Sequence, residues 1–197
     1  MTSSIAYADL ARPTTRASAR LYDLGLIAAG SLLVALSAQA AFHLPFTPVP
    51  WTLQPFAVLL VGALLGARRG ALAMIAYLTE GALGLPVFAG AAAGVGPLVG
   101  PTGGFLVGFV AAAGVTGFLA ERGWDRRFFS TWAAMALGSL TLFAFGLPWL
   151  AQFVGWRNVI ATGLVPFLPG DVFKQVLAAL VLPGAWRVAR AAGWDAR

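Results

Sequence analysis

Most charges in this chain, 15 of 20, fall outside its long apolar runs. Six apolar stretches, residues 22–42, 53–67, 71–84, 104–120, 128–153 and 171–189, are separated by short arginine-bearing turns or by segments rich in proline and glycine. Ordinary soluble domains carry about 25% charged residues; this chain carries 10%, with 59% hydrophobic residues. So few charges cannot clothe a domain of this size in water, which excludes water-soluble globular and disordered classes. The pattern predicts an all-α integral membrane protein, a bundle of six helices solvated by lipid on its outer surface. The polar residues 1–20 form a tail or short surface helix, and residues 21–197 form one membrane domain.

The intervening segments differ in kind. Between the first two stretches stand Pro45, Pro48 and Pro50, which forbid a continuing helix. Residues 84–104 hold glycine at 84, 90, 94, 96, 100, 103 and 104 and proline at 86, 97 and 101. Both loops are irregular yet apolar. Such backbone is tolerated at membrane depth only where it packs on protein or lines a cavity. They read as two lids over a pocket on one side of the membrane. Arg68-Arg69-Gly70 and the 121–127 segment read as tight charged turns on the opposite side.

Charge sets the expected orientation. Arg12, Arg16, Arg20, Arg68, Arg69, Arg122, Arg126, Arg127, Arg187, Arg190 and Arg197 fall on the side of the termini, against Arg157 and Lys174 on the other. By the positive-inside rule both termini are cytoplasmic and the two lids extracellular. The net charge of +6 is thus accounted for by topology, without a nucleic-acid partner.

Catalytic and metal signatures are missing. No phosphate-binding G-x-x-x-x-G-K-[ST] occurs, and one histidine, His43, with no cysteine, cannot build a zinc site. The reading is a non-enzyme without metal or cofactor. Asp171 and Lys174, three residues apart, share one helix face. Asp171 suits a helix cap. Lys174 in a first turn opposes the helix dipole, so a ligand explains it better. Glu80, with Tyr77 one turn earlier, either meets a ligand or pairs with Arg157 or Lys174. Trp51 and Phe88 either join an aromatic belt with Trp149 and Trp156 or wall the pocket. His43 reads as a solvated interface residue.

Four ordered motifs resemble a known family. Pro45-Phe46-Thr47-Pro48-Val49-Pro50 followed by Thr52-Leu53-Gln54, then Tyr77-Leu78 with Gly81-Ala82-Leu83-Gly84-Leu85-Pro86, then Gly100-Pro101-Thr102-Gly103-Gly104-Phe105, and finally Pro169-Gly170-Asp171 with Lys174, resemble the BioY family. These are the biotin-binding S components of energy-coupling-factor (ECF) transporters. The resemblance implies a six-helix subunit of the plasma membrane that captures biotin from outside. It implies a transmembrane coupling partner and two ATPase subunits, in keeping with the missing P-loop. The implied ligand-binding residues are Asp171, Lys174, Gln54, Thr102, Gly103, Glu80, Trp51 and Phe88. Docking falls to small residues of the first helix, Ser31, Ala35 and Ala38, because close helix packing needs small side chains. Two departures stand out: Pro55 replaces an expected threonine, and residues 90–94 carry no polar side chain, so lid contacts are expected through backbone. The alternative is a secondary transporter of biotin or another small vitamin that works without ATPases.

Overall fold

The computed structural model describes residues 5–193; Arg197 of the charge count and the first four residues of the tail lie outside them. The chain is mainly helical: α1 (Arg16–Gln39), α2 (Gln54–Leu65), α3 (Ala67–Ala82), the short α4 (Gly96–Val99), α5 (Gly103–Glu121), α6 (Phe128–Val154), the short α7 (Val159–Gly163) and α8 (Leu168–Ala191). Of these, α1, α5, α6 and α8 are long and apolar enough to cross a membrane. The 12 residues of α2 extend about 18 Å at about 1.5 Å per residue.

The first irregular loop is more ordered than its prolines suggested. Strands β1 (Ala41–Phe42) and β2 (Trp51–Thr52) pair antiparallel, Ala41 with Thr52 and Phe42 with Trp51, and pinch its base. Proline lacks an N–H and cannot donate to a ladder. All three prolines accordingly fall in the stretch between the paired residues. The second loop contains a single 3-10 turn at Ala89–Ala91 and the α4 turn.

Arg68-Arg69-Gly70 is not the turn expected between the second and third stretches. These residues form the first turn of α3, and the reversal is made by Gly66 at φ +85°. Glycine adopts that left-handed geometry without penalty. The Glu121 carboxylate, at the end of α5, accepts the Ala67 N–H at 2.9 Å. An anion on the first free N–H groups of a helix satisfies them and complements the dipole. That cap lets α3 begin at once. Pro148 and Pro183 lie inside α6 and α8, which run through both.

Around this reversal α2, α3 and α5 touch backbone to backbone. A Cβ on Gly62 would collide with the Ala113 carbonyl oxygen and lie 2.9 Å from the Ala113 Cα, and one on Gly70 would lie 2.9 Å from the Gly62 Cα. Small residues let membrane helices approach this closely, and dispersion then replaces the hydrophobic effect that lipid does not supply.

The arginine-rich end is tied together by the N-terminal segment. A 3-10 turn at Tyr7–Ala11 lies against α2. Asp9 pairs with Arg69, Asp23 pairs with both Arg69 and Arg12, and the Tyr22 hydroxyl donates to the Ala8 carbonyl at 2.9 Å. Tyr7 meets the Trp186 ring edge-on at 5.3 Å. Beside it, the Trp186 indole N–H donates to the buried Asp125 carboxylate at 2.5 Å. Burial pushes the Asp125 carboxyl up to about 6, against the opposing pull of Trp186 and Arg126. The folded chain therefore holds this proton more tightly than the unfolded chain. The resulting stability is fully present below the ordinary carboxyl range and is lost as pH rises through about 6. Asp125→Asn stays neutral throughout. The gap in thermal midpoint between wild type and Asp125→Asn should change between pH 7 and pH 4, by the equivalent of on the order of 2 kcal/mol. A gap that stays constant over that range would show that Asp125 does not titrate there.

Candidate ligand-binding site

At the end opposite the arginines, the two loops and α2, α5, α6 and α8 enclose a cavity of about 270 Å³. That is near the lower bound of the roughly 300–1,000 Å³ typical of small-molecule sites. Its apolar walls come from Val49, Phe88, Phe105, Phe109, Phe143 and Phe167. Its polar groups are few: His43, Thr52, Gln54, Thr102, Asp171 and Lys174. An apolar site with a small convergent polar set fixes the orientation of a ligand while desolvating it.

Asp171 and Lys174 are 5% and 7% exposed and form an ion pair at 3.6 Å. Helix α8 begins at Leu168 with Phe167 at its cap position, so Asp171 lies past the capping position and points into the cavity. The capping role weighed for it from sequence is absent. Lys174 also donates to the Thr52 carbonyl at 3.0 Å and sits 4.5 Å above the Trp51 ring. Three favourable contacts hold the ammonium against its desolvation, since isolated buried charge is costly. Trp51 itself does not line the cavity. It backs Lys174 and packs on Gly170, where a Cβ would come within 2.7 Å of the indole.

Gln54 is braced from two sides. Its amide donates to the Tyr77 hydroxyl at 2.7 Å, and its carbonyl accepts from the Thr52 hydroxyl at 3.3 Å. Tyr77 in turn donates to the Val87 carbonyl at 3.2 Å and meets the Phe88 ring edge-on at 5.5 Å. Phe88, 2% exposed, fills a notch that exists because residue 81 is glycine; a Cβ there would strike its ring. A fully buried tyrosine thus joins the floor of the site to its lid. The other lid segment is fixed by Thr102, whose hydroxyl donates to the Pro97 carbonyl at 2.9 Å, and by the Trp149 indole, which donates to the Gly100 carbonyl at 2.8 Å. Gly103 lies behind the cavity wall, where a Cβ would collide with the Leu98 carbonyl.

Of the residues expected at the site, Gln54, Phe88, Thr102, Asp171 and Lys174 converge on the cavity, while Trp51 and Gly103 support it from behind. Glu80 lies outside it: its carboxylate accepts from Ser31 at 2.6 Å across the α1–α3 contact. That partner was not anticipated; Arg157 and Lys174 were. His43 is exposed, as its reading as a solvated residue expected, and stands at the edge of the cavity lining. Phe105 and Phe109, four residues apart on α5, could have been found from their spacing, whereas Phe143 and Phe167 give no local signal.

The three residues expected to dock a partner lie inside the bundle. Ser31 and Ala38 are fully buried and Ala35 nearly so, in the side of α1 that packs on α2 and α3. Their small size serves close packing inside the bundle. The lipid-facing side of α1 carries Leu21, Leu24, Leu32 and Leu36.

The BioY family model matches residues 11–191 of this chain. A biotin transporter BioY of Rhizobium etli is 42% identical over 159 residues, covering 77% of this chain and 85% of the relative. A biotin transporter BioY of Thermotoga maritima is 41% identical over 158 residues, covering 79% and 92%. Among solved structures, the S-component for biotin from an ECF-type ABC transporter superposes with a TM-score of 0.78 at 23% identity, covering 89% of this chain and 95% of that one.

Proposed function

Because this chain belongs to the BioY family, we propose that it is the membrane subunit that captures biotin for an ECF-type transporter. The observation that carries the reading is the buried Asp171–Lys174 pair facing an apolar cavity. Biotin joins a ureido ring, with two N–H donors and a carbonyl acceptor, to an apolar bicycle and a carboxylate tail. Asp171 accepts from N–H groups, Lys174 donates to a carbonyl or carboxylate, and Gln54 and Thr102 add neutral partners. The phenylalanines take the bicycle and the methylene chain. Each buried polar atom left unpaired would cost roughly 1–3 kcal/mol, so the match of donors and acceptors is what confers selectivity.

The chain crosses the plasma membrane six times, with both termini on the cytoplasmic side and the cavity opening outward. The arginine bias supports that orientation. The chain itself is not an enzyme. Energy comes from a coupling subunit and ATPase subunits, in accord with the missing P-loop.

Two measurements test the reading. Purified protein should bind labelled biotin and ignore other vitamins in a panel; absence of biotin binding would overturn the assignment. Cells without biotin synthesis should take up biotin through this chain only when coupling and ATPase subunits are present. Equal uptake without them would make it a self-sufficient transporter.

A further inference from the structure

We propose that Gln39 is a latch: its side-chain amide holds the turn at residues 88–92 over the cavity and sets how fast ligand leaves. Gln39 is the last residue of α1 and does not line the cavity. Its amide is bonded on both sides, always to backbone. The Nε2 donates to the Ala35 carbonyl at 3.0 Å and to the Phe88 carbonyl at 3.4 Å, while the Oε1 accepts the Ala91 N–H at 3.1 Å. One side chain thus grips both ends of the lid turn. The turn is closed on itself by the Phe88 N–H, which donates to the Ala92 carbonyl at 3.1 Å. Phe88, Ala89 and Ala92 all line the cavity.

The turn is also strained. Gly90 and Ala91 lie at φ +66° and φ +58°, and Ala91 is the one non-glycine with positive φ among the described residues. An alanine in the left-handed region is disfavoured because its Cβ crowds the backbone. Such a residue persists only when its surroundings hold it. The one side chain bonded to the Ala91 N–H is Gln39. With that bond gone, residue 91 is free to relax to negative φ, which moves Ala89 and Ala92 off the cavity. Phe88, seated against Tyr77 and Gly81, stays as the pivot. Gln39 is therefore a positioning residue. It acts on the ligand through the lid, and it connects the end of α1 to the closure of the site.

This inference rests on reading the cavity as the biotin site, and the test separates the two. Gln39→Met keeps the length of the side chain and removes all three bonds. Gln39→Glu keeps an acceptor for Ala91 and loses the donors to Phe88 and Ala35. Release of labelled biotin from purified protein, chased with excess unlabelled biotin, should be roughly five- to tenfold faster in Gln39→Met. Gln39→Glu should fall between Gln39→Met and wild type. Association should change less, and the thermal midpoint of the ligand-free protein should hold. Hydrogen exchange at the Ala91 amide should rise in Gln39→Met. Unchanged release with faster exchange would show that the turn does not control exit; unchanged exchange would show that Gln39 does not hold it. Either result overturns the proposal. If Gln39→Met fails to fold, Gln39→Glu must still speed release, or the proposal falls. If wild type itself does not retain biotin, the functional reading fails, and exchange at Ala91 still decides whether Gln39 holds the turn.

Discussion

Lys174→Met should weaken biotin binding by roughly ten- to a hundredfold while the purified protein remains folded. The substitution removes the donor aimed into the cavity. It also strips Asp171 of the ion partner at 3.6 Å and the Thr52 carbonyl of its donor. Breaking one side of a buried pair leaves an uncompensated charge, which costs more than the pair itself was worth. Some loss of thermal stability is therefore expected alongside the loss of affinity. The double variant Lys174→Met with Asp171→Asn separates the two. It removes the stranded carboxylate and should recover stability, because a buried pair replaced by neutral groups is often tolerated. It should not recover binding. Asp171→Asn alone keeps one acceptor and should cost about tenfold. The measurement is equilibrium binding of labelled biotin together with gel filtration of each variant. Biotin affinity within twofold of wild type in Lys174→Met would remove this end of α8 from the site.

The second large effect is on folding. Gly62→Val should prevent accumulation of monodisperse protein, because the new side chain collides with the Ala113 carbonyl and not with a movable side chain. Backbone of α5 cannot yield without opening the contacts that α2 and α3 share with it. Overpacking of a tight interior typically costs about 1–3 kcal/mol, and a clash with main chain belongs at or above the upper end. Gly25→Val, at a position with nothing within 4 Å of its added Cβ, is the control and should express normally. If both variants yield equal amounts of folded protein, the α2–α5 crossing is looser than described.

What the sequence disclosed follows the range of the forces involved. The apolar stretches marked the long helices because the bilayer demands uninterrupted apolar length. Asp171 and Lys174 stood out because charge is rare in this chain, so each ionisable group within an apolar run is visible against its background. The cavity's aromatic walls did not stand out, since a phenylalanine in an apolar run looks the same whether it faces lipid or ligand. Long-range pairings were hidden too. Ser31 bonds Glu80 and Gln54 bonds Tyr77 across helix contacts that no local spacing encodes. Small residues are ambiguous for a related reason. Ser31, Ala35 and Ala38 signalled close packing correctly, but spacing cannot say whether the neighbour belongs to the same chain. The reversal at Gly66 was misplaced because its cap, Glu121, comes from a helix that starts 37 residues later.

The N-terminal segment has a consequence for how the protein is made. Tyr7 packs on Trp186, and Asp9 pairs with Arg69, so a segment made before α1 finds its partners on elements synthesised later, one of them on α8. Chains fold from the N-terminus as they are made, yet the aromatic part of this seat, Trp186, does not exist until α8 has been made. Seating the first segment is then a late step in assembly, and one that registers completion. A chain truncated before α8 leaves Tyr7 without the Trp186 ring that it meets edge-on, whatever the state of the cavity.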